Sequence, residues 1–183
     1  MAEPGFRDAT PDDIPALHRL VEMAYRGDAS RAGWTTEADL LEGQRTDAQD
    51  LALILSDPEQ GMLTAWRGDA LQGCILIARR GEGVGYFGML SVDPRLQNGG
   101  LGRRLVAMAE RAMADRFGAR RVRISVLPQR TELIGWYERL GYSATGETLP
   151  FPYGDERFGL PLRDDLSFIV MEKLLDGAAS EAP

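Results

Sequence analysis

The segment from Leu90 to Leu105 joins a buried strand to a long helix through a glycine-rich loop. Pro94 breaks the strand just after Val92, because proline has no backbone N–H to donate. The first N–H groups of a helix have no intrahelical partner and carry partial positive charge. Glycine lets a ligand approach those groups closely. A strand, a glycine turn and a helix start therefore predict a pyrophosphate cradle, built here around Gly99, Gly100, Leu101 and Gly102.

The charge of the chain constrains what this cradle binds. The 183 residues carry a net charge of −7, yet seven arginines lie between Arg103 and Arg123 against Glu110 and Asp115. A local positive region on an acidic protein favours a small anionic ligand over a long nucleic acid. A solvated helix face is the alternative interpretation, and nucleic-acid binding through these arginines ranks last.

The scarcity of cysteine and histidine excludes several classes of site. With Cys74 as the single cysteine and His18 as the single histidine, the chain forms no intramolecular disulfide and no Cys/His zinc site, so we expect no metal. The first residues do not resemble a secretory signal, and the longest clean apolar run, 51–55, is too short to cross a membrane. We expect a cytoplasmic protein without membrane contact.

Apolar periodicity and turn residues predict an α/β (α+β) chain with a largely antiparallel sheet and one βαβ crossover. We expect a single domain over residues 1–175 and a frayed tail over 176–183. The predicted strands are 6–9, 62–67, 71–80, 85–92, 121–127, 142–149 and 166–174. The predicted helices are 10–25, 37–42, 47–55, 100–117 and 131–140.

Two segments resemble the signatures of the GNAT family of N-acetyltransferases. Gln97-x-x-Gly100-x-Gly102 follows Val92-Asp93-Pro94, and an aromatic-Tyr pair, Trp136-Tyr137, stands on a short helix before Gly141-Tyr142. The order of elements agrees with the family from about residue 6 to residue 174. The resemblance implies the GNAT fold, a central mixed and mostly antiparallel sheet of six to seven strands flanked by helices.

The resemblance also implies acetyl-CoA as the acyl donor. Backbone amides from Asn98 to Arg103 would hold the pyrophosphate, and the backbones of Leu90 and Val92 would pair with the pantetheine arm. A backbone N–H near Leu90 would polarise the thioester carbonyl. The family often has an asparagine where this chain has Arg130, which could instead meet a phosphate of the cofactor. The expected cofactor-binding residues are Leu90, Ser91, Val92, Gln97, Asn98, Gly99, Gly100, Leu101, Gly102, Arg103 and Arg130.

Tyr137 matches the position of the family's usual general acid, which protonates the departing thiolate. The alternative for Tyr137 is an ordinary core role, because it belongs to an apolar helical stripe. Many family members place a glutamate on the motif strand as general base, but residues 86–92 contain no carboxylate. The base is therefore open between a water chain and a carboxylate from another loop, such as Glu37.

The acceptor pocket of the family lies between the first interhelical region and the loop before the last strand. Here those regions contribute Trp34, Glu37 and Tyr153 as candidates, and the alternative for each is an ordinary loop residue. As a group the aromatic and acidic residues of these regions suggest a pocket for an amine-bearing small molecule or peptide. A homodimer is common in the family.

The expected function is transfer of an acetyl group from acetyl-CoA to a primary amine, by direct attack in a ternary complex. No serine or cysteine is paired with a base, so no covalent intermediate is expected. The alternative is a non-catalytic module that binds or senses acyl-CoA, which the missing strand carboxylate motivates.

Overall fold

The computed structural model describes residues 3–26, 30, 36–96 and 99–175. Within these ranges, single turns of 3-10 helix lie at Pro11–Asp13, Pro94–Leu96 and Glu156–Phe158. The helices are α1 (Ile14–Tyr25), α2 (Ala48–Ser56), α3 (Leu101–Phe117) and α4 (Thr131–Arg139). The strands are β1 (Gly5–Asp8), β2 (Leu41–Glu42), β3 (Gln60–Arg67), β4 (Ala70–Arg79), β5 (Val84–Val92), β6 (Arg121–Val126), β7 (Ser143–Pro150), β8 (Leu160–Pro161) and β9 (Ser167–Leu174).

The described part of the chain forms a seven-stranded sheet in the order β1-β3-β4-β5-β6-β9-β7, and β2 and β8 pair separately. Neighbours in the large sheet are antiparallel except for β5 and β6. Helix α3 connects this parallel pair, as a crossover requires. The predicted mixed, mostly antiparallel sheet with one βαβ crossover is therefore confirmed.

Helices cover both faces of the sheet, and the sequence of β4 shows why. Ile75 and Ile77 face the core that α3 covers, while Cys74 and Leu76 face the core that α1 and α2 cover. Successive side chains of a strand point to opposite faces, so a strand buried on both sides reads as a continuous apolar run. Gly73 allows the close approach of α3, because a Cβ there would lie 2.8 Å from Leu105 Cδ1.

The predicted helix over 37–42 is wrong. After a turn at residues 38–40, Leu41 and Glu42 form β2, which pairs antiparallel with Leu160 and Pro161 of β8. The partner strand comes from the loop before the last strand, and this tertiary pairing overrides the local helical pattern. The two regions expected to line the acceptor pocket are thereby held together.

The remaining predicted elements agree with the structure to within about two residues, the usual uncertainty at element ends. The tail expected over 176–183 lies outside the described residues. None of the helices in the described ranges has the length and apolar character needed to span a membrane.

Candidate active site

The parallel strands β5 and β6 pair over a short stretch and then separate. In the described chain their register runs only from Val84 to Tyr86, opposite Arg121–Arg123. Farther along β5, the register with β4 shifts between Cys74 and Leu76, so two residues of β5 oppose one of β4. Met89 lies in this bulge with a φ of 47°, the sole positive φ of a non-glycine residue in the described ranges. A bulge of this kind bends the strand and redirects its backbone groups.

Tyr25 fixes the position of this bulge. Its hydroxyl donates a hydrogen bond of 2.8 Å to the carbonyl oxygen of Leu90, and the side chain is buried at the end of α1. Burial raises the pKa of Tyr25 to about 12, so the phenol remains a donor at neutral pH. From the sequence, Tyr25 is only the last residue of the helix predicted over 10–25. The sequence places Tyr25 on the apolar face of α1, which predicts burial. It does not predict that the hydroxyl bonds to the backbone of β5.

Tyr137 lies against β5 just beyond the paired segment. Its ring centroid is 5.9 Å from that of Phe87, the first residue after the β5–β6 register ends. Trp136 and Tyr142 pack on other sides, at 5.1 and 5.9 Å between centroids. Burial raises the pKa of Tyr137 far above its ordinary range, which keeps the phenol protonated and able to donate. Both the core interpretation and the general-acid interpretation fit this position.

The start of α3 has the geometry of an anion cradle. Gly100 precedes the helix with a φ of 77°, a left-handed conformation that favours glycine. The first α3 hydrogen bond at this end runs from the N–H of Arg104 to the carbonyl of Gly100, so the preceding amides have no intrahelical acceptor. Gly99, Gly100 and Arg103 are exposed.

Gly102 shows that the cradle, Tyr137's helix and the end of β5 converge. A Cβ at Gly102 would lie 3.7 Å from Trp136 Cζ2 and 3.8 Å from Val92 Cγ2. These are ordinary contacts, so packing within the chain does not require glycine there, although glycine weakens a helix relative to alanine. A glycine in the first turn of this helix leaves room for a phosphate group beside the backbone amides, and the residues present therefore fit acetyl-CoA.

Gln97 and Asn98 of the predicted cradle, and Trp34 of the predicted acceptor pocket, lie outside the described residues. Ser91 is fully buried, and its hydroxyl donates to the carbonyl of Met89 at 3.0 Å inside the bulge. Arg104 and Arg116 of the arginine-rich segment pair with Glu3 and Asp8.

Glu37 lies at the centre of a buried ionic cluster that the sequence did not reveal. Its two carboxylate oxygens accept hydrogen bonds from Arg26 at 2.8 Å and from Arg130 at 3.0 Å. Burial alone would raise the pKa of Glu37, but the positive charges of Arg130, Arg45 and Arg26 outweigh it and lower the pKa below its usual value. Glu37 is therefore ionised at neutral pH.

The cluster surrounds the same tyrosine that holds the bulge. The guanidinium carbons of Arg45 and Arg130 lie 5.3 and 5.9 Å from the centroid of the Tyr25 ring. Arg130 was predicted to meet a phosphate of the cofactor. The structure engages it with Glu37 beside Tyr25, and the phosphate contact stays a prediction.

Tyr153 has a structural position in the loop before β9. Its hydroxyl donates to the carbonyl of Arg163 at 3.1 Å and accepts from the N–H of Leu166 at 2.7 Å. The ring packs on Phe151 with centroids 5.0 Å apart. These contacts shape the loop that pairs with residues 41–42, and a contact between Tyr153 and an acceptor stays a prediction.

Neither metal-dependent chemistry nor a cysteine nucleophile finds support in the described ranges. No group of three or more His, Cys, Asp or Glu residues there is arranged to hold a metal ion. Cys74 is fully buried, and burial raises the pKa of its thiol to about 12, so it is a poor nucleophile.

The fold and the site are those of a protein class with an anion cradle at a helix start beside a separated strand pair. Residues 16–142 match the model of the Acetyltransferase (GNAT) family. This match covers more than half of the sequence, and the chain belongs to that family. The predicted membership and the predicted GNAT fold are confirmed.

One curated relative is the mycothiol acetyltransferase of Salinispora arenicola strain CNS-205, which is 38% identical over 141 residues. The aligned part is 75% of this chain and 43% of that protein, so the chain spans less than half the length of this relative. Acetyltransferase chemistry is thus present among the chain's relatives.

Two solved structures illustrate the fold. The ribosomal-protein-S18-alanine N-acetyltransferase of Escherichia coli superposes with a TM-score of 0.70 at 15% identity, covering 98% of this chain and 99% of that one. The protein yncA of Salmonella typhimurium, solved with its cofactor acetyl-CoA, superposes with a TM-score of 0.69 at 19% identity, covering 100% and 98%. At these identities the likeness shows the shared fold.

Proposed function

We propose that the chain is an N-acetyltransferase that moves an acetyl group from acetyl-CoA to a primary amine of a small molecule or peptide. The observation that carries this proposal is the separation of β5 from β6 at Phe87, directly beside Tyr137. The gap lies between the glycine-rich start of α3 and the helix that bears Tyr137. A donor whose phosphates rest on Gly100–Arg103 would extend along β5 toward Leu90.

Acetyl-CoA bound here would supply an acetyl thioester. Transfer forms one N–C bond and breaks one C–S bond, while the amine loses a proton and the thiolate gains one. We assign the backbone N–H near Leu90 to polarising the carbonyl oxygen. We assign Tyr137 to protonating the thiolate, because its phenol lies beside the strand gap at Phe87 and remains protonated at neutral pH.

Glu37 is a weak candidate for the general base. Its lowered pKa makes it a poor proton acceptor, and both its oxygens already accept hydrogen bonds from arginines. This arrangement supports the water route, in which the proton of the amine leaves through solvent.

The direct test is incubation of the protein with acetyl-CoA and a panel of neutral, anionic and cationic amines. Free thiol release would report turnover, and mass spectrometry would identify the acetylated amine. We expect amine-dependent thiol release. Acetyl-CoA binding without turnover on any amine would favour the non-catalytic acyl-CoA-binding module.

We further propose that residues 1–175 form one domain and that the protein acts in the cytoplasm as a homodimer. Strand β7 lies at one edge of the sheet, and every one of its residues is exposed. An edge strand has unpaired backbone groups that a second copy can pair with, which supports the homodimer. Sedimentation equilibrium would test the dimer, and a monomer at all concentrations would contradict it.

A further inference from the structure

The buried ionic cluster around Glu37 carries more positive than negative charge. Arg26 and Arg130 both donate to Glu37, and Arg45 adds a third guanidinium that acts on the same carboxylate. The side chains of Arg26, Arg130 and Glu37 are 6%, 10% and 12% exposed. A buried charge without a counter-charge is costly. Among the described residues, Glu22 also lies near Arg45, but its carboxylate accepts from the backbone N–H groups of Arg45 and Thr46, at 2.6 and 3.0 Å, and not from the Arg45 guanidinium.

Two of these guanidinium groups retain unused donors within the described ranges. Nε and Nη2 of Arg26 are buried and have no hydrogen-bond partner there. Arg45 lies over the Tyr25 ring at 5.3 Å and makes no ion pair with a described carboxylate. Guanidinium groups bind carboxylates and phosphates through paired N–H donors. The donors of Arg26 are enclosed, whereas the partly exposed Arg45 guanidinium is placed to bind an anionic group.

The location of the cluster relates it to the acceptor. Tyr25 lies under Arg45 and Arg130, and its hydroxyl bonds the carbonyl of Leu90, where the acetyl group is expected. The 3-10 turn and short β8 of the loop before β9 lie close to the cluster, because a Cβ at Gly159 would be 3.0 Å from Arg26 Nη2. The positive charge thus lies between the acetyl end of the gap and the two pocket regions.

We propose that the acceptor is a primary amine that also carries an anionic group, a carboxylate or a phosphate, which Arg45 binds beside the Arg26–Glu37–Arg130 cluster. This inference rests on the proposed acetyl transfer and specifies its substrate class. Beside Tyr25 the pocket is positive, because the charge of ionised Glu37 is balanced by Arg26 and Arg130 while Arg45 remains.

Positive surroundings also favour the chemistry. An amine attacks only in its neutral form, and nearby cations lower the pKa of an ammonium group. The cluster would therefore bind the anionic end of the acceptor and raise the fraction of its amine that is unprotonated. Arg45 acts as a specificity residue in this scheme.

The test compares acceptors with and without an anionic group, and kcat/KM is expressed per unprotonated amine because the probes also differ in amine pKa. The probes are α-amino acids, their carboxamides and short aminoalkyl phosphates. In the wild-type protein we expect kcat/KM for the best anionic probe to exceed that of its neutral counterpart at least about tenfold. Comparison of the amino acids with the aminoalkyl phosphates then shows whether the site prefers a carboxylate or a phosphate. Equal or better turnover of the neutral amides would overturn the inference while leaving acetyl transfer intact.

Arg45→Gln tests the assigned residue. We expect kcat/KM for the anionic probe to fall about tenfold, mainly through KM, with little change for the amide. Arg45→Lys should restore part of the loss, and exposed Arg19→Gln should change neither. Equal losses on both probes would mean a merely structural role. A weaker affinity for acetyl-CoA in Arg45→Gln would assign the cluster to the cofactor and overturn the inference.

Binding separates failure of the inference from failure of the proposed function. If no amine is acetylated, the anionic probes are titrated into the protein loaded with CoA. Binding that Arg45→Gln abolishes would retain the anion site without catalysis. No binding of any anionic probe would contradict the anion site itself.

Discussion

The hydroxyl of Tyr25 donates a 2.8 Å hydrogen bond to the carbonyl oxygen of Leu90 and so ties the end of α1 to the bulge in β5. The bond is buried and joins residues 65 positions apart. The C-terminal end of α1 therefore contributes to two features of the site, the bulge in β5 and the ionic cluster. Tyr25 positions the strand where the acetyl group is expected, and the adjacent Arg26 contributes to the ionic cluster.

Tyr25→Phe removes this bond and leaves the Leu90 carbonyl without its partner. We expect the free energy of unfolding to fall by about 1 kcal/mol. We expect kcat to fall about tenfold, because the bulge loses its fixed position. Urea unfolding and thiol-release assays measure the two effects. Tyr86→Phe, on β5 itself, is the control, and equal kcat in all three proteins would contradict the positioning role.

Tyr137→Phe separates the general-acid interpretation from the core interpretation. We expect kcat to fall about a hundredfold with acetyl-CoA affinity unchanged, because only the proton donor is lost. Tyr142→Phe is the matched control from the same aromatic cluster. Its hydroxyl donates to Glu110 at 2.7 Å, so this variant should lose about 1 kcal/mol of stability and keep its turnover. Full activity of Tyr137→Phe would leave Tyr137 as a core residue.

Much of this site follows from local sequence signals. Gly100, Gly102 and the strand that ends at Val92 are contiguous, so their conformations depend on neighbours in the chain. The bond from Tyr25 to Leu90 and the pairing of β2 with β8 join distant segments, and no local periodicity encodes such contacts. Arg26, Arg45 and Arg130 likewise come from separate parts of the chain, so only the folded chain shows that they meet around Glu37.

Glu37→Gln removes the counter-charge of two buried arginines. We expect a loss of about 3 kcal/mol in the free energy of unfolding, because buried unpaired charges are poorly tolerated. Glu59→Gln is the control, because the Glu59–Arg79 pair is exposed and such pairs contribute about 0.5 kcal/mol or less. Chemical unfolding at neutral pH compares them. Similar small losses in both variants would argue that Glu37 is not a structural anchor.

Asp13 predicts a pH-dependent part of the stability. Both Nη atoms of Arg7 donate to its carboxylate, at 2.6 and 2.8 Å, and lower its pKa from 3.8 to about 2. A carboxyl whose pKa is depressed by folding stabilises the protein above its unfolded pKa and loses that contribution as the pH falls toward its folded value. We therefore expect the stability difference between the wild type and Asp13→Asn to shrink between pH 4 and pH 2. An unchanged difference in urea titrations would exclude this role.

The binding of acetyl-CoA tests the central claim most directly, because the cradle, the strand gap and the assigned roles all depend on it. Calorimetric titration should compare the wild type with Arg103→Glu, at the start of α3, and with Arg111→Glu, an exposed arginine two turns farther along that helix. We expect micromolar binding to the wild type and to Arg111→Glu, and a Kd about tenfold higher for Arg103→Glu at low salt. No binding to the wild type, or equal affinities in all three proteins, would contradict the account.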